Sequence, residues 1–112
     1  MAFVHLHNHT EYSLLDGLTH VKDMVRRAAD LDMPAVAITD HGVMSGVPEL
    51  CDACTAVEKE TGKKVKPIYG CEVYFTTDEE LRKDVKPKLY HLLLLAKTNE
   101  GYHNLLHLVS ES

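Results

Sequence analysis

Ala35-Val36-Ala37-Ile38-Thr39 is an unbroken run without polar alternation, and it stops abruptly at Asp40-His41-Gly42. A run of that length and composition predicts a strand covered on both faces, the usual condition of a parallel strand in a layered α/β fold. Upstream, Thr19 is placed to cap a helix whose apolar positions Val21, Met24, Val25, Ala28 and Ala29 repeat at helical spacing, with Pro34 just past its end. Downstream, Gly46-Val47-Pro48 opens a second helix with Leu50, Cys54 and Val57 inward, and Gly62 stops it.

Farther out, the opening Phe3-Val4-His5-Leu6-His7 alternates and is rich in β-formers, which predicts a first strand, followed by a loop over residues 8–17. A third strand is expected over residues 66–75. A solvated connection with mixed charges and Pro87 follows over 78–88, then a fourth strand over 90–96. From about Asn99 a last helix should bury Tyr102, Leu105, Leu106 and Val109. The order β-α-β-α-β-loop-β-α implies right-handed crossovers and an α/β fold of parallel strands alternating with helices, either open or bent toward a barrel. In both arrangements reactive groups collect at the carboxyl ends of the strands. Four strands followed by a helix that runs to the last residues read as the front part of a larger array.

The chain has 112 residues, 45% hydrophobic and 26% charged, which suits one folded domain or part of one. No apolar run approaches the length of a bilayer span, and no signal-peptide pattern opens the chain, so a cytoplasmic location without membrane attachment is expected. The net charge of −5 has the wrong sign for a module that grips nucleic acid through phosphate neutralisation. Three cysteines, an odd number, argue against a disulfide framework.

Histidine carries the chemistry. His7 and His9, two apart on an extended segment, project to the same side and can grip one divalent ion. Asp16 on the following loop, His41 after the second strand, Glu72 at the third and His91 at the start of the fourth are the further candidate metal ligands, and all would meet on one rim. Each alone has a plain reading: Asp16-Gly17 as a turn, Glu72 as a solvated acid, the His pair as hydrogen-bonding groups. Their joint placement favours metal. Other features favour the plain reading. Cys51-Asp52-Ala53-Cys54 lies within a helix without a second pair, Cys71 should point into the core, and His103 and His107 fall on a polar helix face. His5 shares parity with His7 but is left outside the ligand set.

Three stretches together resemble a known family: His5 through Gly17, Ile38 through Gly42, and Gly70 through Tyr74 are similar to the opening motifs of the polymerase and histidinol phosphatase (PHP) domain. Tyr12-Ser13-Leu14-Leu15-Asp16-Gly17, and Tyr90 through Lys97 with Gly101 through Leu105, resemble the version found at the N-terminus of bacterial replicative DNA polymerase III alpha subunits. The resemblance implies the N-terminal portion of a distorted (β/α)7 barrel with up to three divalent metals (zinc, manganese or iron). It also implies a phosphoesterase or 3′-5′ exonuclease site hydrolysing phosphodiesters with a metal-activated water. His7 and His9 match the family's H-x-H, and Asp16, His41 and Glu72 match later ligands; His91 is a further candidate. The family's later Cys and Asp-x-His ligands have no counterpart in the chain after Cys71. The implied setting is DNA replication, within a DNA-directed DNA polymerase (nucleotidyltransferase). The implied partners are the remainder of the alpha chain, other replicase subunits and DNA, and uncovered edge strands also suggest self-association. Two alternatives stay open at this level: a non-catalytic scaffold of the polymerase, and a separate PHP-type phosphatase or amidohydrolase-like metallohydrolase.

Overall fold

The computed structural model describes residues 2–112. Its elements run α1 (Val21–Asp30), β1 (Ala35–Ile38), α2 (Val47–Thr61), β2 (Lys66–Phe75), α3 (Asp78–Leu81), β3 (Tyr90–Leu95) and α4 (Asn99–Glu111). The helical spacing in α1 places Val21, Val25, Ala28 and Ala29 in the interior. The helix ends as expected before Pro34, with Asp32 in the left-handed region at φ 55°. In α2 Pro48 lies in the first turn, where its missing N–H leaves no helical bond unmade, and Gly62 closes the helix at φ 72°. All four residues of β1 are buried. The core joins α1, α2 and the sheet around Val21, Val25 and Leu50, each fully buried. Each such large apolar side chain contributes on the order of 1.5–3 kcal/mol by leaving water. Leu105 of α4 reaches the same core, and Tyr102 lies against Tyr69 of β2 with ring centroids 5.5 Å apart. Among the described residues no helix is long and apolar enough to cross a membrane.

The result is a mixed α/β fold with a three-stranded sheet in the order β1-β2-β3. The expectation of parallel strands throughout needs correction. β1 and β2 are parallel, as the α2 crossover requires, but β3 runs antiparallel to β2, with Tyr74 paired to His91 and Phe75 to Tyr90. A parallel return needs a long crossover, usually a helix. Between β2 and β3 the chain forms only the single-turn α3, capped by the Thr77 hydroxyl, so it doubles back beside β2.

The first strand is a second correction. Residues 2–10 run extended along β1 without forming a regular ladder. The Ala37 and Thr39 amides donate to the carbonyls of His5 (3.3 Å) and Asn8 (2.9 Å). The Asn8 side-chain amide, however, donates to the Ala37 carbonyl at 2.9 Å, and the Asn8 amide donates to the Thr39 hydroxyl at 2.9 Å. Side-chain bonds thus occupy the groups a ladder would pair. The expected cap is also displaced by one residue: His20 precedes α1 and makes no side-chain cap bond.

Candidate metal centre

Past the end of β1 the chain keeps in step with β2 for three more residues. Glu72 donates its amide to the Asp40 carbonyl (3.0 Å), and the Gly42 amide donates to the Glu72 carbonyl (2.9 Å), so His41 and Glu72 form an isolated parallel bridge. Gly42 then turns the chain away at φ 64°, a conformation that favours glycine.

Glu72 is the centre of the cluster. It is 5% exposed, and its Oε2 lies 3.1 Å from Nε2 of His7, 2.5 Å from Nε2 of His9 and 3.5 Å from Nδ1 of His41. Its Oε1 lies 2.7 Å from Nδ1 of His91. Burial pushes this carboxyl up, but the hydrogen-bonding imidazoles of His7, His91 and His9, with the charge of His41, outweigh it and hold the group at about 2. On the other side of His41, its Nε2 lies 2.7 Å from Oδ2 of Asp16. All six candidate ligands therefore meet. His91 does so because β3 is antiparallel: its start, unlike the start of a parallel strand, lies at the carboxyl end of β2, with His91 opposite Tyr74.

The loop that carries Asp16 is held by a buried polar clamp. The Asp40 carboxylate accepts from the Thr10 amide (2.5 Å), the Thr10 hydroxyl (2.8 Å) and the Ser13 hydroxyl (2.8 Å). The Ser13 oxygen in turn accepts from the His41 amide at 3.1 Å. Asp40, Thr10 and Ser13 are all buried, and the Asp16 and Gly17 amides wind back onto the Ser13 carbonyl. Sequence reasoning assigned Asp40, Thr10 and Ser13 no role. The available signal was the charge at the end of an apolar strand: an acid held there is buried, and a buried acid needs donors.

Three overlapping groups have ligand atoms mutually within 4.8 Å: His7, His9 and Glu72; His9, Asp16 and His41; His41, Glu72 and His91. A tetrahedral ion at about 2.0–2.1 Å from its ligands sets them about 3.3 Å apart. The 2.5–3.5 Å contacts around Glu72 and Asp16 are close to that spacing. Imidazole and carboxylate are also the donors that zinc, manganese and iron share. The residues fit a divalent metal. His5 belongs to none of these groups and lies edge-on to Phe3, with ring centroids 4.7 Å apart. Cys71 is buried, Cys51 and Cys54 are free thiols on α2, and His103 and His107 are exposed on α4.

Comparison with known proteins places this geometry in context. The PHP domain family profile matches residues 5–112. The DNA polymerase III subunit alpha of Helicobacter pylori strain 26695 is 45% identical over 109 residues, covering 97% of this chain and 8% of its own length. That of Treponema pallidum is 39% identical over 115 residues, covering 100% of this chain and 9% of its own. The chain thus spans less than a tenth of these relatives. Among solved structures, a protein of Bifidobacterium adolescentis provisionally named a metal-dependent phosphoesterase superposes with a TM-score of 0.58. It is 24% identical, and the match covers 93% of this chain and 32% of that one.

Proposed function

This chain belongs to the PHP domain family, and on that premise we propose that it is the front part of the N-terminal PHP domain of a bacterial DNA polymerase III alpha subunit, carrying a metal-dependent phosphoesterase site. The single observation behind this reading is the convergence of four imidazoles on the buried Glu72 carboxylate, with Asp16 against His41. In this reading His7, His9, Asp16, His41, Glu72 and His91 hold the metal, and the full domain is a distorted (β/α)7 barrel with up to three ions of zinc, manganese or iron. Such ions supply Lewis acidity and an activated water for phosphodiester cleavage, including 3′-5′ exonuclease cleavage. Glu72 neutralises part of the cation charge while its position between His7, His9 and His91 orients those rings. Asp16 fixes the His41 ring through Nε2, leaving Nδ1 toward Glu72. The parent chain is then a DNA-directed DNA polymerase of the cytoplasm, partnered by the rest of the alpha chain, other replicase subunits and DNA.

The amidohydrolase alternative calls for a lysine near the ligands. Lys97, the one candidate for it, follows β3 at the far end of the sheet, where it lines a cavity of about 310 Å³ with Lys66 and Tyr102. The test is metal analysis after loading with zinc or manganese, together with hydrolysis of bis(p-nitrophenyl) phosphate. Stoichiometric uptake with turnover abolished by a chelator is expected. Uptake without turnover returns the scaffold reading, and no uptake overturns the metal site.

A further inference from the structure

The Asp40 clamp holds Thr10 and Ser13 of the ligand loop, and the loop closes on itself where the Glu11 amide donates to the Thr19 carbonyl at 3.0 Å. A loop attached at one place can still pivot about it. Tyr12, between the two clamped residues, attaches the loop to a different element. Its hydroxyl donates to Oε2 of Glu49 at 2.7 Å, across 37 residues of sequence, in the first turn of α2. A glutamate at the third position of a helix can turn back onto the amide of the residue before the helix. Here the Glu49 carboxylate reaches out to Tyr12, and Gly46 before the helix makes no side-chain cap bond.

The ring of Tyr12 occupies the space that a side chain at Gly46 would need. A Cβ there would lie 2.5 Å from Cδ1 of Ile38 and 3.0 Å from Cδ2 of Tyr12. Glycine thus lets the ring close onto the start of α2, where it packs against the core. By accepting the hydrogen bond, the Glu49 carboxylate pushes the Tyr12 hydroxyl above the usual tyrosine range, which keeps it a donor. α2 follows His41 through residues 42–46 alone, so Glu49 belongs to the stretch of chain that carries His41, while Tyr12 belongs to the stretch that carries Asp16. We infer that the contact between Tyr12 and Glu49 is a latch that sets Asp16 against His41, which makes both of them positioning residues for the ligand group of His9, Asp16 and His41. The inference rests on the metal-site reading above. Asp40 anchors the loop to the strand end, and the latch aims its acid.

Titration of the chain with cobalt(II), followed by the ion's visible absorption, tests it. Tyr12→Phe and Glu49→Ala should each weaken cobalt binding about 10-fold, the lower end of the loss when a group that orients a ligand is removed. The double variant should lose no more than either, because the two groups act as one contact. Glu49→Gln keeps an acceptor for the hydroxyl and should stay close to wild type. The decisive arm is the Asp16→Asn background, in which Tyr12→Phe should change cobalt affinity by less than about 2-fold. A merely structural contribution would cost the same in both backgrounds. An equal loss in both, or wild-type affinity in Tyr12→Phe, overturns the proposal. Amide hydrogen exchange of the metal-free chain separates the latch from the metal reading. Tyr12→Phe should speed exchange at Asp16 and Gly17, whose amides donate to the Ser13 carbonyl, and leave Val25 of α1 unchanged. That pattern in a chain that takes up no cobalt counts against the metal site and leaves the latch standing. Unchanged exchange at Asp16 and Gly17, or equal acceleration at Val25, overturns the latch.

Discussion

Replacing Glu72 by Gln keeps the side chain's size and removes the one charge on which four imidazoles converge. The magnitude follows from the site. The carboxyl is held at about 2 against an ordinary 4.5, and a gap of that size corresponds to roughly 3 kcal/mol of preference for the charged form. Because the folded value lies below the unfolded one, this stabilisation is fully present above about pH 4.5 and fades as pH falls toward 2. At neutral pH the metal-free Glu72→Gln chain should therefore unfold at lower urea, by about 2–3 kcal/mol. Metal binding should suffer more selectively. Glu72 belongs to two of the three ligand groups and His91 to one, so Glu72→Gln leaves only His9, Asp16 and His41 complete. Competition with a chromophoric zinc chelator should show a loss of affinity of about 100-fold for Glu72→Gln, the equivalent of about 2.7 kcal/mol. His91→Gln, breaking one group, should lose distinctly less. Wild-type zinc affinity in Glu72→Gln, or an equal loss in His91→Gln, would show that the carboxylate is not the shared centre.

Asp40→Asn replaces an acceptor of three bonds with a group that must point donors at a hydroxyl already used by Tyr12, so it should cost about 1.5–3 kcal/mol in thermal unfolding. Zinc affinity should fall about 10- to 100-fold in the same variant although Asp40 belongs to none of the three ligand groups, and unchanged zinc binding would rule out its positioning role. Gly17→Ala should disrupt the ligand loop, because a Cβ there would lie 2.0 Å from the Thr10 carbonyl oxygen. Loss of both stability and zinc uptake is the expected result, and a wild-type melting curve the contrary one. Imidazole must be neutral to ligate, so zinc affinity should drop at least ~10-fold between about pH 7.5 and pH 5.5; equal occupancy at both would exclude histidine ligation.

Much of this architecture was legible because its signals are local. The helical spacing of Val21, Val25, Ala28 and Ala29, the Pro48 and Gly62 that bound α2, and the unalternating run over 35–38 each depend on a few neighbouring residues. The direction of β3 was not legible in the same way. Strand direction depends on how the connection travels through space, and residues 78–88 carry no periodicity to declare it. The N-terminal extension failed as a strand for a different reason: Asn8, unremarkable in sequence, donates its side-chain amide to the Ala37 carbonyl of β1 and to the His5 carbonyl of its own segment.

The candidate ligand types were legible in the sequence, since His7, His9, Asp16, His41, Glu72 and His91 combine metal-binding chemistry with positions at or beside strand ends, but Asp40 has the same two properties and only the structure turns it into the clamp instead. Which of them is the centre, and what holds the ligand loop, was decided by tertiary structure. Glu72 acquires four imidazole neighbours, and Asp40 its Thr10 and Ser13 donors, from segments far apart in the chain. The burial that makes those contacts strong exists only once the sheet and its loops have closed around them.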